Sequence, residues 1–250
     1  MAKVHHLKGY IQNIYLIEYE HGCLLLDGAC RADFDLIEKH FVEVMHRPLT
    51  DLKVVMVTHM HPDHAGCAHY LRERAGCLVI SGVFEKQWYA GLSGRIAHLI
   101  DIALAHWVAG RLKQTRRRIW YSSQLKPDIM LDDGQPVPHF PDWHAVSTPG
   151  HTSMDISLAN HKMKYIYIAD LMVQVKGELC PPYPVSLPSE YVQSVEGLYD
   201  FSDYTIMMAH VEPQQVAPSV LDKVKMRSPR KAQNNKQAIL NRAKKLARFR

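Results

Sequence analysis

The sequence predicts an α/β fold, a four-layer αββα sandwich carrying a helical insertion. Short β-branched runs alternate with helical patterns in both halves of the 250 residues, which favours two sheets packed face to face with helices outside. No short internal repeat is visible, which speaks against a solenoid. The 47% hydrophobic content supports a sizeable core, and the length suits one large domain or two small ones.

The first elements read as a hairpin. Ile14 and Leu16 alternate between faces, Glu20, His21 and Gly22 make a turn, and the apolar run 23–26 follows before Asp27 and Gly28. Phe34, Ile37, Phe41 and Val44 then recur at helical spacing over residues 33–46, and residues 54–57 form a β-branched run expected to be a buried strand. A helix over residues 65–74, ended by Gly76, and a strand over residues 78–80 come next.

Residues 83–130 break this rhythm and are expected to be a helical insertion. Ile96, Leu99, Ile100, Ala103, Leu104, Trp107 and Val108 form a wide apolar stripe, followed by Arg111, Lys113, Arg116, Arg117 and Arg118. The simplest expectation is a helix packed by that stripe on the body, with a lid or a membrane-surface contact as the alternatives. His98, Asp101 and His106 interrupt the stripe, which falls short of the roughly 20 apolar residues of a membrane span. Strands return at residues 145–147, 156–158 and 165–169, then a Pro-rich loop at 181–188, a helix near 189–198 and a last strand at 205–209.

The net charge of +5 divides unevenly. Residues 222–250 hold eleven Lys and Arg against Asp222, a net of +10, which leaves −5 on the remainder. The expected organisation is one domain over residues 1–221 and a basic tail over 222–250, whose Ile239, Leu240, Ala243, Leu246 and Phe249 share a helical face. The five cysteines are odd in number and form no CxxC pair, which argues against a disulfide framework and a thiolate zinc finger. The first residues carry no leader pattern, so a cytoplasmic location is expected.

The densest chemistry lies in Thr58-His59-Met60-His61-Pro62-Asp63-His64, immediately after the buried strand. In extended geometry His59 and His61 point to one side, while Pro62 restricts the turn so that Asp63 and His64 enter from the next helix. Four ligating side chains then converge. Imidazole and carboxylate donors without cysteine favour zinc, with iron and manganese as alternatives. Alone, Asp63 would read as a helix N-cap, but three neighbouring histidines reverse that reading. One motif cannot fill two tetrahedral sites. Further candidates end later strands: His151 in Thr148-Pro149-Gly150-His151-Thr152, Asp170 after residues 165–169, and His210 after residues 205–209. In isolation Asp170 would read as a turn residue and His210 as a surface group; order and spacing raise them to ligands. His5, His6, His98, His106, His139, His144 and His161 have no matching partners and are expected to be surface or core residues.

The HxHxDH segment after a strand, then TPGHT, then Asp170 and His210 each closing a strand, resembles the metallo-β-lactamase fold superfamily, over residues 27–210. The resemblance implies two metal ions, expected to be Zn2+. One would be held by His59, His61 and His151, the second by Asp63, His64 and His210, with Asp170 bridging and Asp27 supporting. It implies a shared hydroxide as nucleophile and lets Asp63 relay a proton to the leaving group. The expected function is hydrolysis of a small-molecule, ester-like substrate: a lactone, thioester or β-lactam. A one-iron persulfide dioxygenase of the same fold and a phosphodiesterase or nuclease are the alternatives; no nucleic-acid module is visible, although the basic tail could attract phosphates. A non-catalytic binding protein is disfavoured by the full ligand set, and the oligomeric state is left open. Two departures from the family pattern concern substrate geometry. Val173 stands three residues after Asp170, where lactone-hydrolysing members often have Tyr, leaving Tyr183 as a candidate oxyanion helper. Residues 209–213 lack the usual glycines, and Ser153, Met154 and Asp155 follow TPGHT where a Gly is frequent.

Overall fold

A computed structural model describes residues 2–234. The first sheet runs β1 (Lys3–Lys8), β2 (Asn13–Tyr19), β3 (Gly22–Leu25), β4 (Leu52–Val57), β5 (Leu78–Gly82) and β6 (Ile129–Leu131), neighbours in that order. β1, β2 and β3 pair antiparallel; from β3 onward the pairing is parallel. The second sheet has β7 (Pro136–Val137), β8 (Phe140–Ser147), β9 (Ile156–Asn160) and β10 (Tyr165–Tyr167). A small hairpin, β11 (Val173–Val175) with β12 (Glu178–Cys180), separates these from β13 (Thr205–Met207), which joins parallel to β10 at the far edge.

Period-two alternation sorts the core into layers. Tyr15, Ile17, Leu24, Leu26, Val54 and Met56 meet Trp143, Ala145, Leu158 and Met207 between the two sheets. Their sequence neighbours Leu16, Leu25, Val55 and Val57 point the other way, onto Phe34, Ile37 and Leu71. These come from α1 (Phe34–Lys39) and, beyond the short α2 (Pro62–Ala65), from α3 (Ala68–Ala75). On the opposite side α5 (Pro188–Gly197) and α6 (Pro218–Met226), which follow the insertion helix α4 (Gly91–Arg111), cover the second sheet with Tyr191, Val195, Leu221 and Val224. The layers are therefore α, β, β, α, as expected.

Several local details differ from the sequence reading. The helix expected over residues 33–46 starts with a 3-10 turn at Arg31–Asp33 and widens to a π-turn at His40–Val44 after α1. The helix expected over 65–74 is two, α2 and α3, with Gly66 between them. A Cβ at Gly66 would lie 2.2 Å from the Pro62 carbonyl oxygen and 2.8 Å from the Arg31 amide nitrogen, so only glycine lets the end of α2 sit this closely on the loop after β3. Gly76 ends α3 in the left-handed region, φ +73°, as its position predicts. α6 spans residue 222, where the basic tail was expected to begin, and the expected tail helix beyond residue 234 lies outside the described residues.

The insertion meets the simplest expectation only in part: Ile100, Leu104 and Val108 of the expected stripe are half-buried, while Ile96, Leu99, Ala103 and Trp107 are exposed. α4 turns Gly94, His98, Asp101, Ala105 and Ala109 inward and leaves Leu92, Ile96, Leu99, Ala103 and Trp107 exposed. The small residues explain this, because they allow the helix axis to approach the body closely. A Cβ at Gly94 would lie 2.2 Å from the Tyr89 backbone. No helix among the described residues is long and apolar enough to cross a membrane.

Candidate metal centre

Chain direction gathers the predicted ligands. β3 and β4 are parallel, and β8, β10 and β13 share one direction because β9 lies antiparallel to both β8 and β10. The carboxyl ends of these strands carry Asp27, the HxHxDH segment, His151, Asp170 and His210 in turn. Loops at the carboxyl ends of strands are where α/β sheets hold ligands. His61 caps α2 with extended backbone and Pro62 occupies its first turn, so Asp63 and His64 project from the first turn of a helix.

The seven residues fall into two adjacent groups, His59, His61, His151 and Asp170, and Asp63, His64 and His210, each with ligating atoms within 4.8 Å of one another. His61 Nδ1 lies 3.0 Å from both His59 Nε2 and His151 Nε2. His210 Nε2 lies 3.2 Å from Asp63 Oδ2 and 3.3 Å from Asp170 Oδ1. His64 Nε2 lies 3.5 Å from Asp170 Oδ2 and 3.6 Å from Asp63 Oδ2. Asp170, 3.9 Å from His151 Nε2, thus stands between the groups.

Each imidazole has a polar neighbour on its outer nitrogen. His64 Nδ1 is 2.6 Å from Asp27 Oδ2, His151 Nδ1 is 2.6 Å from the Pro184 carbonyl, and His210 Nδ1 is 3.1 Å from the Ile11 carbonyl. These acceptors fix the proton on the outer nitrogen and leave an inward lone pair. His59 Nδ1 has Thr58 Oγ1 at 3.1 Å and Asp155 Oδ1 at 3.8 Å, and His61 Nε2 has Asp101 Oδ2 at 3.8 Å. Asp155 is itself held by the Thr152 amide and hydroxyl, both at 2.6 Å.

This donor set fits divalent ions. Tetrahedral nitrogens about 2.0–2.1 Å from a zinc ion are roughly 3.3 Å apart, close to the 3.0 Å found among the inward nitrogens. His64 Nε2 and Asp170 Oδ1 are buried with charged neighbours at 3.3–3.6 Å but without a well-directed hydrogen bond, and a buried polar atom left unsatisfied costs about 1–3 kcal/mol. A cation held by these residues would satisfy both.

Taken alone, the side chains hold charge unequally. Burial, with His64, His61 and His151 adding to it, drives His59 well below its ordinary 6.5. Burial takes His61 down to about 4, against the pull of Asp101. In the other group, burial is overridden. Asp63, Asp170 and Asp27 raise His64 well above 6.5, and Asp170 and Asp63 lift His210 to about 10. Asp170 stays well below the usual carboxylate range despite its burial, because His210 and His64 face it. Protons on His64 and His210 therefore occupy the positive side of this carboxylate pair.

The groups open into a cleft of about 390 Å³ whose walls are Ile11, Leu104, Ala105, Trp107 and Val108, with Tyr183 at its rim. The insertion helix thus roofs the centre. Val173 is not among the residues lining this cleft, whereas Tyr183 is. Asp27 takes the supporting place expected of it, and Tyr167 donates to the same carboxylate at 2.9 Å. Sequence reasoning missed Asp101, whose carboxylate accepts from Tyr89 at 2.7 Å and faces His61. The only signal was a buried-pattern acid within an apolar stripe.

Fold and site together define an αββα protein with a buried His/Asp cluster of a kind that could hold metal ions. Residues 7–210 match the family model of the metallo-beta-lactamase superfamily, and the chain belongs to that family. No curated protein sequence matches the chain. Among solved structures, a metallo-beta-lactamase family protein from Thermus thermophilus superposes with a TM-score of 0.62 at 18% identity, covering 90% of this chain and 78% of that one. An archaeal superfamily protein from Sulfolobus tokodaii gives 0.62 at 17% identity, over 89% and 84% of the two chains. A metallo-beta-lactamase from Pseudomonas aeruginosa, solved in a mono-zinc form, gives 0.57 at 13% identity, over 90% and 88%. At these identities the likeness is one of fold.

Proposed function

We propose that the chain is a dinuclear zinc-dependent hydrolase of a small ester-like substrate, a lactone, thioester or β-lactam. The observation that carries this reading is the arrangement of the five imidazoles. Each has a polar neighbour on one nitrogen and turns the other inward, and Asp170 lies between the two groups. His59, His61 and His151 would hold one ion, Asp63, His64 and His210 the other, with Asp170 shared. Two zinc ions held there supply Lewis acidity and bring the pKa of a shared water towards neutrality.

The chain's own groups do the remaining work. Asp63 lines the cleft beside His210, so one carboxylate oxygen can ligate while the other carries a proton to the leaving group. The Tyr183 hydroxyl, which in the free protein donates to the Asn234 carbonyl at 3.4 Å, would have to turn from it to donate to the substrate oxygen. Ile11, Leu104, Trp107 and Val108 exclude water and receive the apolar part of the substrate. A cleft of about 390 Å³ roofed by a helix favours a small molecule over a polynucleotide. The reading takes the αββα body, with α6 included, as the catalytic domain and the basic residues after α6 as a tail. The free cysteines, four of them buried, fit a reducing compartment such as the cytoplasm.

Elemental analysis of the purified protein, with turnover of a panel of lactone, thioester, β-lactam and phosphodiester substrates, tests the proposal. Near two zinc per chain and one active ester-like class are expected, and Asp63→Ala should abolish turnover. One iron per chain with oxygen consumption would replace this reading by the dioxygenase, activity on phosphodiesters alone would move it to that class, and absence of bound metal would end it.

A further inference from the structure

The insertion helix carries a surface that the metal chemistry does not use. Leu92, Ile96, Leu99, Ala103 and Trp107 recur once per turn along the outer side of α4, all exposed. Leu92 is 78% exposed, and Leu99 and Trp107 are 54% exposed. Past the helix end Leu112 and Trp120 are also exposed, with Trp120 turned back to pack edge-on against His98. Single exposed apolar residues are ordinary, but a continuous row on one helix marks an interaction surface.

The charge around it is one-sided. Residues 86–127 contain eight Lys and Arg and a single acid, Asp101. Asp101 is buried and turned inward to Tyr89 and His61. Arg95, Arg111, Lys113, Arg116 and Arg118 are exposed around and beyond the stripe. Leucine, isoleucine and tryptophan on a helix face flanked by cations is the composition that lies in the plane of an anionic bilayer. The apolar side chains enter the acyl boundary and the cations meet the headgroups. A second copy fits poorly, because a twofold contact through α4 would bring two sets of these cations together.

We propose that the outer face of α4 docks the protein in plane on an anionic lipid surface, with the exposed cations of residues 111–118 at the headgroups. Trp107 belongs to both the stripe and the cleft wall, so docking would set the mouth of the metal cleft at the bilayer. The proposal does not depend on which bond the centre cleaves.

The test is sedimentation of the full chain with phosphatidylcholine vesicles, with and without phosphatidylglycerol. The probe variant combines Leu92→Ser, Ile96→Ser and Leu99→Ser, three exposed residues away from the cleft that leave the basic tail intact. The wild type should bind only the phosphatidylglycerol vesicles and release in high salt. The triple variant should bind at least about tenfold more weakly, from the lost apolar burial. Its circular dichroism and metal content should match the wild type, showing that it folds. Absence of wild-type binding, or equal binding by the folded triple variant, would overturn the proposal. So would a dimer that the triple variant abolishes without any vesicle binding, which would assign the stripe to a second copy.

Discussion

Asp27 aims His64, and Asp27→Asn removes that control at nearly constant volume. Asp27 Oδ2 receives His64 Nδ1 at 2.6 Å, the Thr58 hydroxyl at 2.8 Å and the Tyr167 hydroxyl at 2.9 Å, while Oδ1 receives the Thr58 and Gly28 amides at 3.2 and 3.0 Å. An amide placed either way round sets an N–H group against donors and loses the negative charge that steadies the imidazole. Losing the partner that orients a ligating histidine lowers metal affinity about 10- to 100-fold, which is about 1.4–2.7 kcal/mol. The buried donor left facing a donor costs a further ~1–3 kcal/mol of stability. Competition with a chromophoric zinc chelator resolves the two binding steps. The step assigned to Asp63, His64 and His210 should weaken, and the step assigned to His59, His61 and His151 should hold. Two unchanged steps in a folded variant, or equal loss from both, would refute the assignment of Asp27 to His64.

Asp101→Ala should weaken the other step by roughly tenfold, since the carboxylate faces His61 Nε2 and accepts from Tyr89; the same chelator titration reads it, and a change in turnover without a change in affinity would instead assign Asp101 to the substrate. Gly150→Ala should destabilise by more than about 2 kcal/mol, because its φ is +146° and a Cβ would lie 2.5 Å from Tyr191 Cα; denaturant unfolding measures this, and loss of His151 alignment should accompany it. In the chelated protein, the raised pKa of His210 gives stability that is full below its ordinary 6.5 and lost as pH rises through about 10. Urea unfolding across that range should show the decline, and His210→Gln should flatten it.

Much of the candidate centre was legible in the chain because most of its candidate ligands sit a few residues past a strand end, with Asp63 and His64 on the short helix α2 that follows β4. His59 follows β4, Asp170 follows β10 and His210 follows β13, so a strand prediction is already a prediction of where the side chain leaves the sheet. The four layers were legible for a similar reason. Leu16 and Ile17, or Val55 and Met56, fall on opposite faces of the first sheet by period-two alternation alone. The small hairpin Val173–Val175 with Glu178–Cys180 was not, because three-residue strands are too short to carry an alternation that can be read.

The sequence by itself determined which side chains are candidate ligands, their order and the strands that deliver them, since these depend on local periodicity and on residue chemistry. It also determined which residues of α4 share a face. Only the tertiary structure decided which face turns inward, because periodicity defines a stripe without saying what meets it. Here Gly94, Ala105 and Ala109 permit close approach, so Ile96, Leu99 and Trp107 are left outside and Asp101 is carried to His61. The same holds for the imidazoles. Which nitrogen points inward depends on acceptors remote in the chain, Pro184 for His151, Ile11 for His210 and Asp27 for His64, and only folding brings these together.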